Sequence, residues 1–184
     1  MTYFLIIIAI AALAVFYFVG VYNKFVRKRS MMDEGWSGID VQLKKRYDLI
    51  PNLVETVKGY ASHEKDTLQQ VIEARNRAMK AEGVSEQNEA EKNLNTALAN
   101  IYALGEAYPD LKANTNFLQL QQQLAAVESD VEKARRYYNA TVRENNIMVE
   151  SFPSNLIANA MGFEQTEFFE IEEVSQREAP QIKF

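Results

Sequence analysis

Residues 117–152 read FLQLQQQLAAVESDVEKARRYYNATVRENNIMVESF. Phe117, Leu120, Leu124, Val127, Val131, Ala134, Tyr138, Thr141, Asn145, Met148 and Phe152 recur within this stretch at alternating steps of three and four. That spacing places them along one stripe of an α-helix. A stripe sustained this long predicts a helix from Leu111 or Asn114 to Phe152. It also predicts left-handed, coiled-coil-like packing against antiparallel neighbours. The fold class that follows is all-α.

The same periodicity extends upstream. Ala90, Leu94, Ala97, Ile101, Leu104 and Tyr108 define a helix over about 86–108, which Pro109 ends. Residues 81–85, AEGVS, read as a loop. Before it, Trp36, Ile39, Leu43, Tyr47, Ile50, Val54, Val57, Ala61, Leu68 and Ile72 give one stripe over about 31–82. Pro51 lies inside that stripe. Because proline removes a donor and crowds the preceding turn, a kink or break is expected there, with Asp48 available to restart the helix. Gly59 is a weaker point, tolerated at modest cost. Downstream, Pro153 stops the long helix, and a short helix is expected over 156–161 with Gly162 as its left-handed C-terminal residue. The tail, 163–184, is acidic and aromatic with little pattern. It is expected to pack across the bundle or extend, with part of it disordered.

At the other end, Thr2–Gly20 reads TYFLIIIAIAALAVFYFVG and has no charged side chain. With Val21 and Tyr22 it supplies about 20 helical residues, enough for a hydrocarbon core of about 30 Å. A cleaved signal peptide is disfavoured, since no Lys or Arg precedes the run and the run is long. A helix lying in the membrane plane would need a polar face, and this one has none. Lys24, Arg27, Lys28 and Arg29 follow at once. The positive-inside rule then predicts a single-pass protein of the cytoplasmic membrane, N-terminus outside and C-terminal domain cytoplasmic. The same cluster suits contact with anionic headgroups.

Composition excludes several chemistries. The 184 residues contain no Cys, so disulfides, thiolate metal sites and Cys nucleophiles are impossible. A net charge of -5 does not suit nucleic-acid binding. His63 is the single histidine, too few for the paired Glu-x-x-His motifs of di-iron bundles, and it reads as a surface residue. Phosphate-binding glycine loops and the Gly-x-Ser-x-Gly elbow are absent. No catalytic residue, metal ligand or cofactor site is expected, and the chain reads as a non-enzyme. The remaining polar candidates sit on or beside the stripes: Arg46, Asp48 and Asn52 around Pro51, then Arg75, then Arg135, Asn139 and Asn145. They have two readings. Buried Arg and Asn can set helix register and satisfy carbonyls freed by proline. Alternatively they line a polar groove for a lipid or small ligand.

Finally, the chain resembles the LemA family. The resemblance is carried by Trp36–Ala61, WSGIDVQLKKRYDLIPNLVETVKGYA, with His63-Glu64 and Ala74-Arg75. It continues through Tyr108–Asn114, YPDLKAN, through Tyr137-Tyr138-Asn139 to Asn145, and through Phe152–Ala158, FPSNLIA, Gly162-Phe163 and Phe169-Glu170. The resemblance implies an N-terminal transmembrane helix and a long, mainly four-helix cytoplasmic bundle, and it brings no catalytic residues. The expected organisation is an anchor over 1–22, a basic juxtamembrane collar over 23–30, a helical bundle over 31–162 and the tail over 163–184. The expected partners are the lipid bilayer, another membrane protein and possible further copies of the chain, with no nucleic acid. The expected role is a membrane-tethered scaffold or adaptor, with a lipid or small-ligand sensor as the alternative.

Overall fold

A computed structural model describes residues 1–169, and the rest of the tail, 170–184, lies outside the described residues. The protein is all-α. Among the described residues there are six helices rather than the four that the resemblance implies: α1 (Thr2–Lys58), α2 (Lys65–Ala78), α3 (Gly83–Ala107), α4 (Pro109–Lys112), α5 (Thr115–Glu150) and α6 (Ser154–Met161). One of them, α1, has a stretch long and apolar enough to cross a membrane. The chain divides into two compact units, the first made of Met1–Leu43 and Val127–Phe168, the second of Lys44–Ala126 with Phe169.

In the first unit, the N-terminal part of α1 and the C-terminal part of α5 lie antiparallel. Lys28 pairs with Glu144, and Trp36 meets Tyr138 edge-on with ring centroids 5.6 Å apart. Gly35 permits the close approach, since a Cβ there would lie 3.2 Å from the Tyr138 Cα. The stripe of α5 is buried as its spacing predicts at Val131, Tyr138, Thr141 and Asn145, but Phe152 is exposed. It falls beyond the helix, in the turn into α6. Gly162, with φ 71°, ends α6 in the left-handed conformation predicted for it. Its neighbour Phe163 then folds back to stack on Phe25.

The second unit corrects the expected helix boundaries. Pro51 does not end α1, which continues to Lys58 and breaks at Gly59–His63 instead. The physical reason is a replacement donor. Proline at position 51 leaves the carbonyl of Tyr47 without its intrahelical partner. Arg75 of α2 supplies one, its Nε donating to the Tyr47 oxygen at 2.7 Å. The break resets the stripe. In α2, Leu68, Val71, Ala74 and Ala78 are buried, while Ile72 is exposed against expectation. Helix α3 begins at Gly83, inside the expected loop, where φ is +79°. It buries Ala90, Leu94, Ala97 and Ile101 as predicted. Gly105 faces the buried Phe117 ring, 2.9 Å from where a Cβ would stand.

Candidate functional site

Two polar arrangements stand out, one in each unit. In the second unit, Gln87, Glu91 and Asn95 recur every four residues on one face of α3 and meet Arg46 and Tyr47 of α1. Glu91 and Arg46 are 0% and 4% exposed. Arg46 Nη1 donates to Glu91 Oε2 at 2.7 Å, and Arg46 Nη2 donates to Asn95 Oδ1. The Tyr47 hydroxyl donates to the other Glu91 oxygen and accepts from Gln87 Nε2 at 2.9 Å. Burial pushes the Tyr47 pKa well above the tyrosine range, and the Glu91 carboxylate adds to that shift. Gln87 and Arg46 oppose it. A buried pair of charges is tolerated when its remaining donors and acceptors are also matched. Its members hydrogen-bond to one another, which is the chemistry of a structural clamp.

The first unit holds an open cleft of about 510 Å³. Arg29, Met32, Asp33 and Trp36 of α1 line it with Tyr138 and Asn145 of α5 and residues 162–166. The last of these is a segment without regular secondary structure, pinned by side-chain amides. Asn145 Nδ2 donates to the Glu164 carbonyl at 3.2 Å. Asn146 both donates to the Thr166 carbonyl and accepts from its N–H, each at 2.9 Å. The Tyr138 hydroxyl donates to the Glu167 carbonyl at 3.2 Å. Burial, then the charges of Glu167 and Asp33, raise the Tyr138 pKa. The cleft brings together a guanidinium, the carboxylates of Asp33 and Glu164, and three aromatic rings. That combination suits recognition of a ligand bearing both charges.

The polar candidates named from sequence divide between these places. Arg46 joins the clamp, and Arg75 holds the carbonyl freed by Pro51. Asp48 and Asn52 are exposed, Asp48 accepting from Lys44 at 3.4 Å. Asn145 lines the cleft, whereas Arg135, buried, and Asn139, half-buried, belong to the same unit but do not line it. Of the basic collar, Lys24, Arg27 and Arg29 are exposed. Lys28 is half-buried on Glu144, whose pKa it lowers by hydrogen bonding and charge. Sequence reasoning missed Gln87, Glu91 and Asn95. Their four-residue spacing beside Ala90 and Leu94 was the available signal, but a polar run on a helix more often faces solvent.

Among the described residues no cluster of three or more His, Asp or Glu could hold a metal ion. Fold and sites together define a membrane-anchored, all-helical protein with one N-terminal membrane-length helix and a packed helical bundle. The LemA family model matches residues 35–184, and the chain belongs to the LemA family. Protein LemA of Metamycoplasma hominis is 23% identical over 177 residues, covering 95% of this chain and 81% of that protein. Magnetosome protein MamQ 2 of Paramagnetospirillum magneticum is 24% identical over 175 residues, covering 81% of this chain. MamQ of Magnetospirillum gryphiswaldense is 22% identical over 174, covering 80% of this chain. The chain spans 64% of the length of each of these two magnetosome proteins. Family membership is consistent with a non-enzymatic protein.

Proposed function

We propose that this protein is a membrane-tethered scaffold that works through protein–protein contacts at the cytoplasmic face. In this reading residues 1–22 anchor it with the N-terminus outside, and 23–30 form a basic collar at the headgroups. Residues 31–162 are the working bundle, and 163–184 are its tail. The observation that carries the reading is the continuity of α1, which runs from the anchor into the bundle without a flexible linker. Through Leu43 that helix keeps the first unit directly beside the bilayer, as a scaffold at the membrane requires. Exposed apolar side chains supply contact points: Ile72 of α2 and Met79, the residue that caps its C-terminus, seven residues apart and so on one side, are 39% and 53% exposed.

The test is a photo-crosslinking residue at position 72 or 79 in cells, followed by mass spectrometry. The expected product is an adduct with another membrane protein or with a second copy of the chain. Recovery of the uncrosslinked chain alone from both positions refutes the scaffold reading. A second reading, a lipid or small-ligand sensor, is favoured by the cleft between Arg29, Asp33 and Asn145. It predicts ligand-dependent thermal stabilisation that Arg29→Ala removes.

A further inference from the structure

Residues 151–163, SFPSNLIANAMGF, carry no charged side chain, although Glu150 and Glu164 flank them. Their level relative to the anchor follows from the packing of the first unit. Lys28 pairs with Glu144 and Gly35 backs onto Tyr138, so one residue along α5 descends about one residue along α1. Six residues beyond Glu144 helix α5 ends at Glu150, about level with Tyr22, six residues before Lys28. Tyr22 is the end of the apolar run. Helix α6 then packs Ile157 and Ala158 against Val21 and Phe25. Phe163 closes the turn, its ring 4.6 Å from that of Phe25 and 5.8 Å from that of Tyr22. The whole segment therefore lies beside the end of the membrane-length stretch.

At that level its large outward side chains are apolar, with Ser151 and Asn159 exposed beside them. Phe152 is 79% exposed, Leu156 60% and Met161 47%. We infer that residues 151–163 are a second membrane contact, a charge-free turn and helix that insert these three side chains into the boundary between headgroups and acyl chains. The occupant of this face is lipid because the patch is continuous with the anchor, which a bilayer already surrounds. The backbone is prepared for such a setting. The Ser154 hydroxyl donates to the Met148 carbonyl at 2.7 Å, and it lies 2.9 Å from the Ser151 carbonyl, a second acceptor at the end of α5. The Phe163 N–H returns to the Ala158 carbonyl at 3.0 Å. Glu150 and Glu164 limit the depth to the interface, where a partly buried apolar face is stable about 5–10 Å into the headgroup boundary. The inference needs only the anchor and holds whichever way the chain crosses the membrane. It is independent of the scaffold reading.

The chain has no native cysteine, so single-cysteine variants carry one label each. The experiment places a nitroxide at Phe152→Cys and, separately, at Leu156→Cys in the full chain. Each is reconstituted in vesicles of phosphatidylethanolamine and phosphatidylglycerol, where copies can meet. Val41→Cys, exposed and about 28 Å along α1 beyond Tyr22, is the aqueous reference. The expected result is a several-fold rise in the ratio of oxygen to water-soluble nickel collisions at both sites relative to Val41. Ratios equal to the reference at both sites overturn the inference. Spin–spin broadening that disappears on dilution with unlabelled chain also overturns it, by assigning the face to a second copy. Helical circular dichroism checks each variant, and Met161→Cys replaces a site that fails.

Discussion

Truncating Glu91 to Ala isolates the buried clamp. The carboxylate and the Arg46 guanidinium have side chains only 1% and 5% exposed, so water cannot take over when one is removed. Glu91→Ala leaves the guanidinium buried without its counter-charge. It also takes the acceptor from the Tyr47 hydroxyl. Breaking a buried ion pair by deleting one partner costs about 3–5 kcal/mol. For a chain of this size each kcal/mol shifts the melting temperature by about 2–4 °C, so the expected fall is about 6–20 °C. The assay is thermal and denaturant unfolding of the full chain in detergent micelles, followed by circular dichroism. The double variant Arg46→Met/Glu91→Leu removes both charges and fills the space. It is expected to recover most of the loss or exceed the parent, because neither desolvation penalty remains. A Glu91→Ala loss below about 1 kcal/mol would refute the buried clamp, since that is the range of a solvated pair. A double variant as unstable as Glu91→Ala would refute the charge argument and leave shape as the cause.

Four further outcomes follow from the structure. Arg75→Ala should cost about 1–3 kcal/mol by stranding the Tyr47 carbonyl, and much less in a Pro51→Ala background. Residue 51 then carries an N–H for that same oxygen, and a double-mutant cycle of denaturant midpoints measures the coupling. Gly35→Ala should destabilise by about 1–3 kcal/mol, its Cβ meeting Tyr138 backbone at 3.2 Å. Gly38→Ala, with nothing within 4 Å, should stabilise by about 0.5–1 kcal/mol in the same melts. The raised Tyr47 pKa should make stability fall as pH rises above about 10. There the unfolded chain releases a proton that the folded chain keeps. The slope from Tyr47 is about 1.4 kcal/mol per pH unit, and Tyr47→Phe should remove that share.

Much of the fold was legible because helices announce themselves locally. The three-four spacing of Val131, Tyr138 and Asn145 marked the buried face of α5, and Leu94 and Ile101 that of α3. Of the kink or break expected at Pro51, the break does not occur, for a reason that lies outside α1. A proline breaks a helix when its orphaned carbonyl finds no donor, and this donor comes from Arg75, in the next helix. The shift from Ile72 to Val71 is the consequence, since the break moved to Gly59 and the stripe restarted from a new phase. Glu91 and Arg46, 45 residues apart, were each readable only as a surface charge or a register residue until they met.

By itself the sequence determined the all-α class, the membrane-length apolar stretch, the absence of thiol chemistry and the membership of a family. Each of these depends on composition or on periodicity along one helix, where neighbours in space are neighbours in the chain. Only the tertiary structure decided which polar residues are buried together, where α1 ends, and that α6 packs against Val21 and Phe25. Those depend on the register between antiparallel helices. Register is set by a few distant contacts, Lys28 on Glu144 and Gly35 against Tyr138 among them, and no local pattern encodes it.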